Sequence, residues 1–114
     1  MPTQQINKGQ WTQFLNDFSR AHEGQTATVE AFGPGTGAHH EARALPFGGF
    51  EVETKEPGHI IVMLGTETDD HISHTVTSPV QVWHKAGPDE ANEVVEIRSE
   101  DGIGLVIKFA PPQG

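Results

Sequence analysis

Trp11, Phe14, Leu15 and Phe18 recur at i, i+3, i+4 and i+7, and after Gly24 the apolar period changes to two. That one change of period constrains the fold more than any other feature. The first pattern is a single apolar stripe on a helix, and the second is the alternation of half-buried strands. Asn7 suits the N-cap, and Gln10 three residues later gives a capping-box-like pair. Gly24 is placed to stop the helix, with His22 beside its last carbonyls. The spacing predicts a helix over 8–23.

Beyond Gly24, Ala27, Val29 and Ala31 alternate with polar residues, and Gly33-Pro34-Gly35-Thr36-Gly37 cannot extend that strand. His40, Ala42 and Ala44 alternate next. Leu45-Pro46-Phe47-Gly48-Gly49 reads as an interruption before Phe50 and Val52. Ile60 to Leu64 is apolar on both faces and reads as a central strand covered by the helix. Ile72 to Lys85 is one long extended segment in which Pro79 implies a bend or an edge. Val94 to Arg98 and Ile103 to Phe109 form a hairpin across Glu100-Asp101-Gly102, where Asp-Gly suits a primed turn. A flat two-sided sheet would leave Ile61, Met63, Trp83 and Val106 uncovered. The expectation is therefore one α+β domain over 1–114, mainly antiparallel β. One N-terminal amphipathic helix packs on a strongly bent, barrel-like sheet of about seven short strands within 25–110, and 111–114 is a frayed tail.

Composition narrows the partners. The 114 residues carry 7 Lys and Arg against 16 Asp and Glu, a formal charge of −9, with no basic cluster. Nucleic acid and anionic membranes are held by Lys and Arg, so both are disfavoured as partners. Seven histidines, all protonated, would bring the charge to −2, which makes the surface pH-sensitive. With no cysteine, disulfides, thiolate catalysis and Cys-type zinc sites are excluded. The start, Met1-Pro2-Thr3-Gln4-Gln5, lacks the regions of a signal peptide, and a cytoplasmic protein is expected.

The chemistry-bearing side chains crowd into Thr66 to His74, where Glu67, Asp69 and Asp70 stand beside His71 and His74. If the segment is extended, Glu67, Asp69 and His71 share a face, about 7 Å apart in steps of two residues. If Asp70 to His74 form one turn, Asp70 meets His74 at i, i+4, and His71 joins it. Asp70, His71 and His74 are the candidate ligands of a divalent metal, although a third strong ligand and the His-Glu-x-x-His spacing are both missing. The competing structural reading is a turn fixed by an Asp–His hydrogen bond. Trp83, in Trp83-His84-Lys85, is a candidate contact residue if Val80, Val82 and His84 face inward. Packing against the helix or a second subunit is favoured for it.

Other chemistry is excluded by pattern. His39-His40 and His59 lack the His-x-His spacing of metal-binding double-stranded β-helix proteins. The glycine-rich loop precedes a strand and has no lysine, so it is no phosphate cradle. Ser73 has no Gly-x-Ser-x-Gly elbow, and His71-Ile72-Ser73 has no second copy. Glu51, Glu53, Glu93 and Glu96 read as solvent-exposed carboxylates without an aromatic sugar platform. A Sm-like RNA-binding barrel is opposed by the acidic balance.

The run Trp11-x-x-Phe14-Leu15-x-x-Phe18-Ser19, then His22-x-Gly24 and a strand with Val29-Glu30, resembles a small bacterial family of domains of unknown function. So does the later L-G-x(4)-D-H-x-x-H-x-V pattern at Leu64-Gly65, Asp70-His71, His74 and Val76. The resemblance spans most of the chain and implies a single-domain architecture and no mechanism. The functional expectation is a small non-enzymatic cytoplasmic binding or protein-interaction module. Its partner is a second copy, joined through a strand edge or the Trp83 surface, or another protein. The tentative binding residues are Asp69, Asp70, His71, His74 and Trp83. The alternative is a metal-binding protein or metal-dependent enzyme centred on Asp69-Asp70-His71-x-x-His74.

Overall fold

A computed structural model describes residues 3–33, 39–55, 58–66, 69–85 and 93–109, without the side chains of 3, 39–43, 66 and 69–71. The chain opens with β1 (Thr3–Ile6), a 3₁₀ turn at Lys8–Gln10 and α1 (Trp11–His22). Seven further strands follow: β2 (Thr26–Phe32), β3 (His39–Glu53), β4 (His59–Thr66), β5 (Asp69–Thr77), β6 (Pro79–Lys85), β7 (Val94–Ser99) and β8 (Gly104–Phe109). They form one antiparallel sheet in the order β1-β6-β7-β8-β2-β3-β4-β5. The α+β class with one helix is as expected, and residues 111–114 lie outside the described residues.

The helix begins later than its stripe suggests. Asn7 Oδ1 accepts from Gly9 N at 3.0 Å and its carbonyl from Gln10 N, so the first turn is 3₁₀ and the α-helix starts at Trp11. Gln10 makes no side-chain cap bond. Trp11, Leu15 and Phe18 are buried, and Phe14 packs beside them. Full burial of Leu15 or Phe18 is worth roughly 1.5–3 kcal/mol each. Trp11 also donates its indole N–H to the Ile6 carbonyl at 2.9 Å, which ties the helix to the end of β1. Gly24 ends the helix at φ +86°, and its N–H bonds the Phe47 carbonyl of β3.

The sheet has eight strands rather than about seven. The short polar β1 has no apolar alternation to betray it, yet it pairs with β6 from Thr3↔Lys85 to Ile6↔Val82. The Leu45–Gly49 interruption is a bulge within one strand. The first half of β3 pairs with β2 and the second half with β4, with a register shift between Phe47 and Gly49. Gly49 has φ +136°, and a Cβ on Gly48 would lie 3.1 Å from the Met63 carbonyl, so the bulge excludes larger residues. The long segment Ile72 to Lys85 is instead split between β5 and β6 by Ser78, a non-glycine residue at φ +54°.

β1 and β5 are the two edges, with no ladder between them, so the sheet is open and not a closed barrel. It nevertheless curls. β5 lies five strands from β7, about 24 Å if flat at ~4.8 Å per strand. Yet Val76 of β5 and Ser99 of β7 line a single cavity. Ser78 pins the corner, donating its N–H to the Gly58 carbonyl and accepting from Glu100 N. The core between the curled halves is built from Val29, Phe47, Ile60, Val62, Leu64, Val82, Ile97 and Ile107. On β4, Ile60, Val62 and Leu64 point into this core while Ile61 and Met63 are half-buried on the outer face. That strand is therefore one-sided, and α1 lies mainly against β3. The final hairpin uses a three-residue loop, with Gly102 N bonded to Ser99 O and only Gly102 at positive φ, instead of a primed turn.

Candidate functional site

β5 carries the sequence-predicted cluster. Its ladder with β4 runs from Thr66↔Asp69 through Leu64↔Ile72 and Val62↔His74 to His59↔Thr77. The backbone from Asp69 to Thr77 is thus extended, and the one-turn geometry for Asp70 to His74 does not form. Successive residues of a strand alternate faces, which sets positions 71 and 74 on opposite sides. Val76 is buried on the core side and His74 shares that side, while Ser73, Thr75 and Thr77 are exposed. Glu67 and the side chains of Asp69, Asp70, His71, His39 and His40 lie outside the described residues. His74 is half-buried, and its Nε2 is a buried atom with no hydrogen-bond partner. Among the described residues no group of three His, Asp or Glu side chains could hold a metal ion.

Trp83 lies on the sheet's outer face. Its neighbours Val82 and His84 point inward, and His84 meets Phe14 and Phe18 of α1, so Trp83 is on the side away from the helix. A register shift between Pro79 and Gln81 turns Val80 out to 50% exposure, so Val80 does not share the inward side of Val82 and His84. Cross-strand register sets Gln5, Trp83, Glu96, Val106 and Glu30 in one row. Glu96 is buried there under two cations, with Arg98 Nε at 2.5 Å and Lys85 Nζ at 3.9 Å. Lys108 Nζ reaches Glu30 at 3.0 Å, and Arg98 also stands over the Phe32 ring. The half-buried indole N–H of Trp83 donates to Gln81 at 3.3 Å.

A cluster of mixed elements was not visible in the sequence pattern. Glu93, just before β7, takes His84 Nε2 on one oxygen at 2.9 Å and faces His22 Nε2 with the other at 3.6 Å. His22 Nδ1 meets Gln25 Oε1 at 2.6 Å, and the Phe18 ring stacks on His22 at 4.1 Å between centroids. The three side chains His22, His84 and Glu93 are only 16–20% exposed. One carboxylate therefore clamps the end of α1 to the end of β6. Both Nε2 atoms are turned to the Glu93 carboxylate, and the arrangement fixes the junction of α1 with β6. Glu93 and Glu96, read as solvent-exposed from the sequence, are both largely covered.

The open seam of the sheet holds a cavity of about 210 Å³ between β5 and the β7–β8 hairpin. Val76 and Leu105 form its apolar floor, and Thr75, Thr77, Ser99 and Asp101 bring polar atoms to its walls. Asp101 Oδ1 accepts from the Ser99 hydroxyl and from Ile103 N at 3.2 Å. These two bonds, the hydroxyl first, hold the Asp101 carboxyl below the usual carboxylate range.

Residues 2–114 match a family of unknown function, DUF5335. The chain belongs to that family. No curated protein and no solved structure matches it. In this DUF5335 chain the apolar residues of both sequence motifs are architectural. Trp11, Leu15 and Phe18 are core, and Ser19 accepts from Phe50 N at 2.9 Å while donating to Leu15 O at 2.7 Å. In the second motif Leu64 and Val76 are core and Gly65 has φ +91°. His74 is the one motif residue with a described side chain whose polar atom has no structural use. The His22–Glu93–His84 clamp had a sequence signal only in hindsight, since it joins positions separated by up to 71 residues.

Proposed function

We propose that this protein is a small non-enzymatic binding module, acting in the cytoplasm, whose binding element is the free edge of β5. The observation that carries this is the sheet order: β5 is nine residues long and, among the described residues, pairs with β4 alone. A long edge strand offers a row of backbone donors and acceptors that a second strand can complete. The partner proposed is a second copy of the chain. Antiparallel pairing of two β5 strands sets Asp69 and Asp70 of each against the neutral end of the other. Parallel pairing would stack the acids on themselves, which is unfavourable.

Light scattering at rising protein concentration tests this, with Ser73→Pro and His74→Pro made separately. Neighbouring N–H groups of a strand point to opposite edges, so one of the two variants removes a donor from the free edge alone. That variant is expected to fold and to stay monomeric where the wild type dimerises. A wild type that is monomeric at every concentration refutes the pairing.

A divalent-metal site centred on His74 is the second reading, favoured by its unpartnered Nε2, with position 70 on the same side of β5 and position 71 on the other. Calorimetry with Zn²⁺, Ni²⁺ and Mn²⁺ separates the two. Stoichiometric binding that disappears in the His71→Ala/His74→Ala variant supports the metal, and weak binding that survives those changes removes it.

A further inference from the structure

We infer that the cavity between β5 and the β7–β8 hairpin is a binding site for a small primary ammonium compound with a short apolar body. The inference goes beyond the β5 edge and does not depend on dimerisation. Three features of the cavity lead to it. Its floor is apolar, formed by Val76 and Leu105, with Ile103, 52% exposed, at the rim. Its polar lining consists of acceptors and hydroxyls, namely Asp101, Ser99, Thr75 and Thr77, with no Lys, Arg or His. And the hairpin offers a carboxylate oxygen, Asp101 Oδ2, that takes neither of the bonds Ser99 and Ile103 make to Oδ1.

That last point follows from Ser99. Its hydroxyl is buried and lies in hydrogen-bond contact with both Asp101 Oδ1 and the Ile103 carbonyl, the latter at 2.6 Å. A hydroxyl has one proton, so it can satisfy only one of them. The Ile103 carbonyl already takes Ser99 N at 2.8 Å, and Asp101 also takes Ile103 N on the same Oδ1. Asp101 Oδ2 takes neither bond. An ammonium group brings three donors and a positive charge to the Asp101 carboxylate, which would repel a carboxylate or phosphate. The net charge of −9 raises the local concentration of cations in the same sense.

Size limits the apolar part. At the ~30 Å³ that each water occupies in the liquid, a cavity of 210 Å³ has the volume of about seven waters. Benzylammonium and butylammonium are of that order, and a nucleoside or a disaccharide is far too large. Gly104, which also lines the cavity, must be glycine, since any Cβ there would strike the Ile97 carbonyl and the Phe32 ring.

The test is a titration of the full chain with benzylammonium chloride, followed by the backbone amide resonances, with benzyl alcohol as the neutral isostere. The expected result is saturable shifts confined to residues 75–77 and 99–105. Affinity should fall at least about tenfold for benzyl alcohol and for Asp101→Asn, the factor that a charge-assisted hydrogen bond carries. Thr75→Phe, at an exposed lining position, should block binding by filling the space, and it decides the matter if Asp101→Asn does not fold. Equal binding of benzyl alcohol, shifts centred elsewhere, no saturable shift, or wild-type affinity in either folded variant would each overturn the inference.

Discussion

Ser19 shows how one hydroxyl can join two elements. It donates to the Leu15 carbonyl within α1 and accepts from Phe50 N beside the β3 bulge. Ser19→Ala leaves the Phe50 N–H without its acceptor in a part-buried place. A loss of about 1–3 kcal/mol in denaturant unfolding is expected, with the denaturant slope unchanged. Asp101 makes a prediction of different sign in pH. Its carboxyl is held low by the Ser99 hydroxyl and then by Ile103 N, so the folded state favours the ionised form. The resulting stabilisation is complete above the ordinary carboxylate value of 3.8 and is lost as pH falls through the lower value of the folded state. The stability gap between wild type and Asp101→Asn should therefore be constant near neutrality and narrow below that value, as read from denaturant midpoints across pH. A gap that widens on acidification would contradict the assigned bonds. His74 stands apart because its Nε2 is buried without a partner, a cost no other described side chain bears.

At the scale of elements, legibility followed the strength of local pattern. The helix was readable because Trp11, Leu15 and Phe18 are a stripe that only a 3.6 period explains, and the stop at Gly24 is a local backbone event. β1 was not, since Thr3-Gln4-Gln5-Ile6 is held in the sheet by pairing with a strand some eighty residues away. The Leu45–Gly49 stretch carries breaker residues, yet the strand continues because its partners change there from β2 to β4. Of the candidate site, the sequence brought the carboxylates and histidines into one segment but left open whether that segment was turn or strand. Ladder pairing with β4 decides that, and no local signal could. The corner at Ser78 carries a prediction of this scale. A residue at φ +54° between β5 and β6 tolerates no branch at Cβ, and both of its backbone groups are bonded, to Gly58 and Glu100. Ser78→Val should destabilise by about 1–3 kcal/mol, while Ser78→Gly should be near neutral. Thermal or denaturant melts of the two variants check the contrast, and equal losses would mean the corner is not strained.

Charge acts on the molecule as a whole, and here the direction of its effect can be argued. Nine surplus negative charges are confined within a radius of gyration of 13.4 Å, whereas an unfolded chain of this length extends to about 34 Å. At ~20 Å in water each pair of like charges costs about 0.2 kcal/mol, and nine charges form roughly 36 pairs. The folded state therefore carries on the order of 7 kcal/mol of repulsion before screening, and unfolding relieves about half of it as distances double. Against this stand surface ion pairs such as Lys108–Glu30, partly exposed and worth about 0–1 kcal/mol. Salt weakens both terms, but the long-range repulsion yields first because the screening length falls from ~30 Å at 0.01 M to ~8 Å at 0.15 M. Stability should thus rise by about 1–2 kcal/mol over that range of sodium chloride. Urea melts at neutral pH are the measurement. A midpoint that falls with salt would mean that the ion pairs over the outer face, Glu96 with Arg98 and Lys85 above all, outweigh the excess charge.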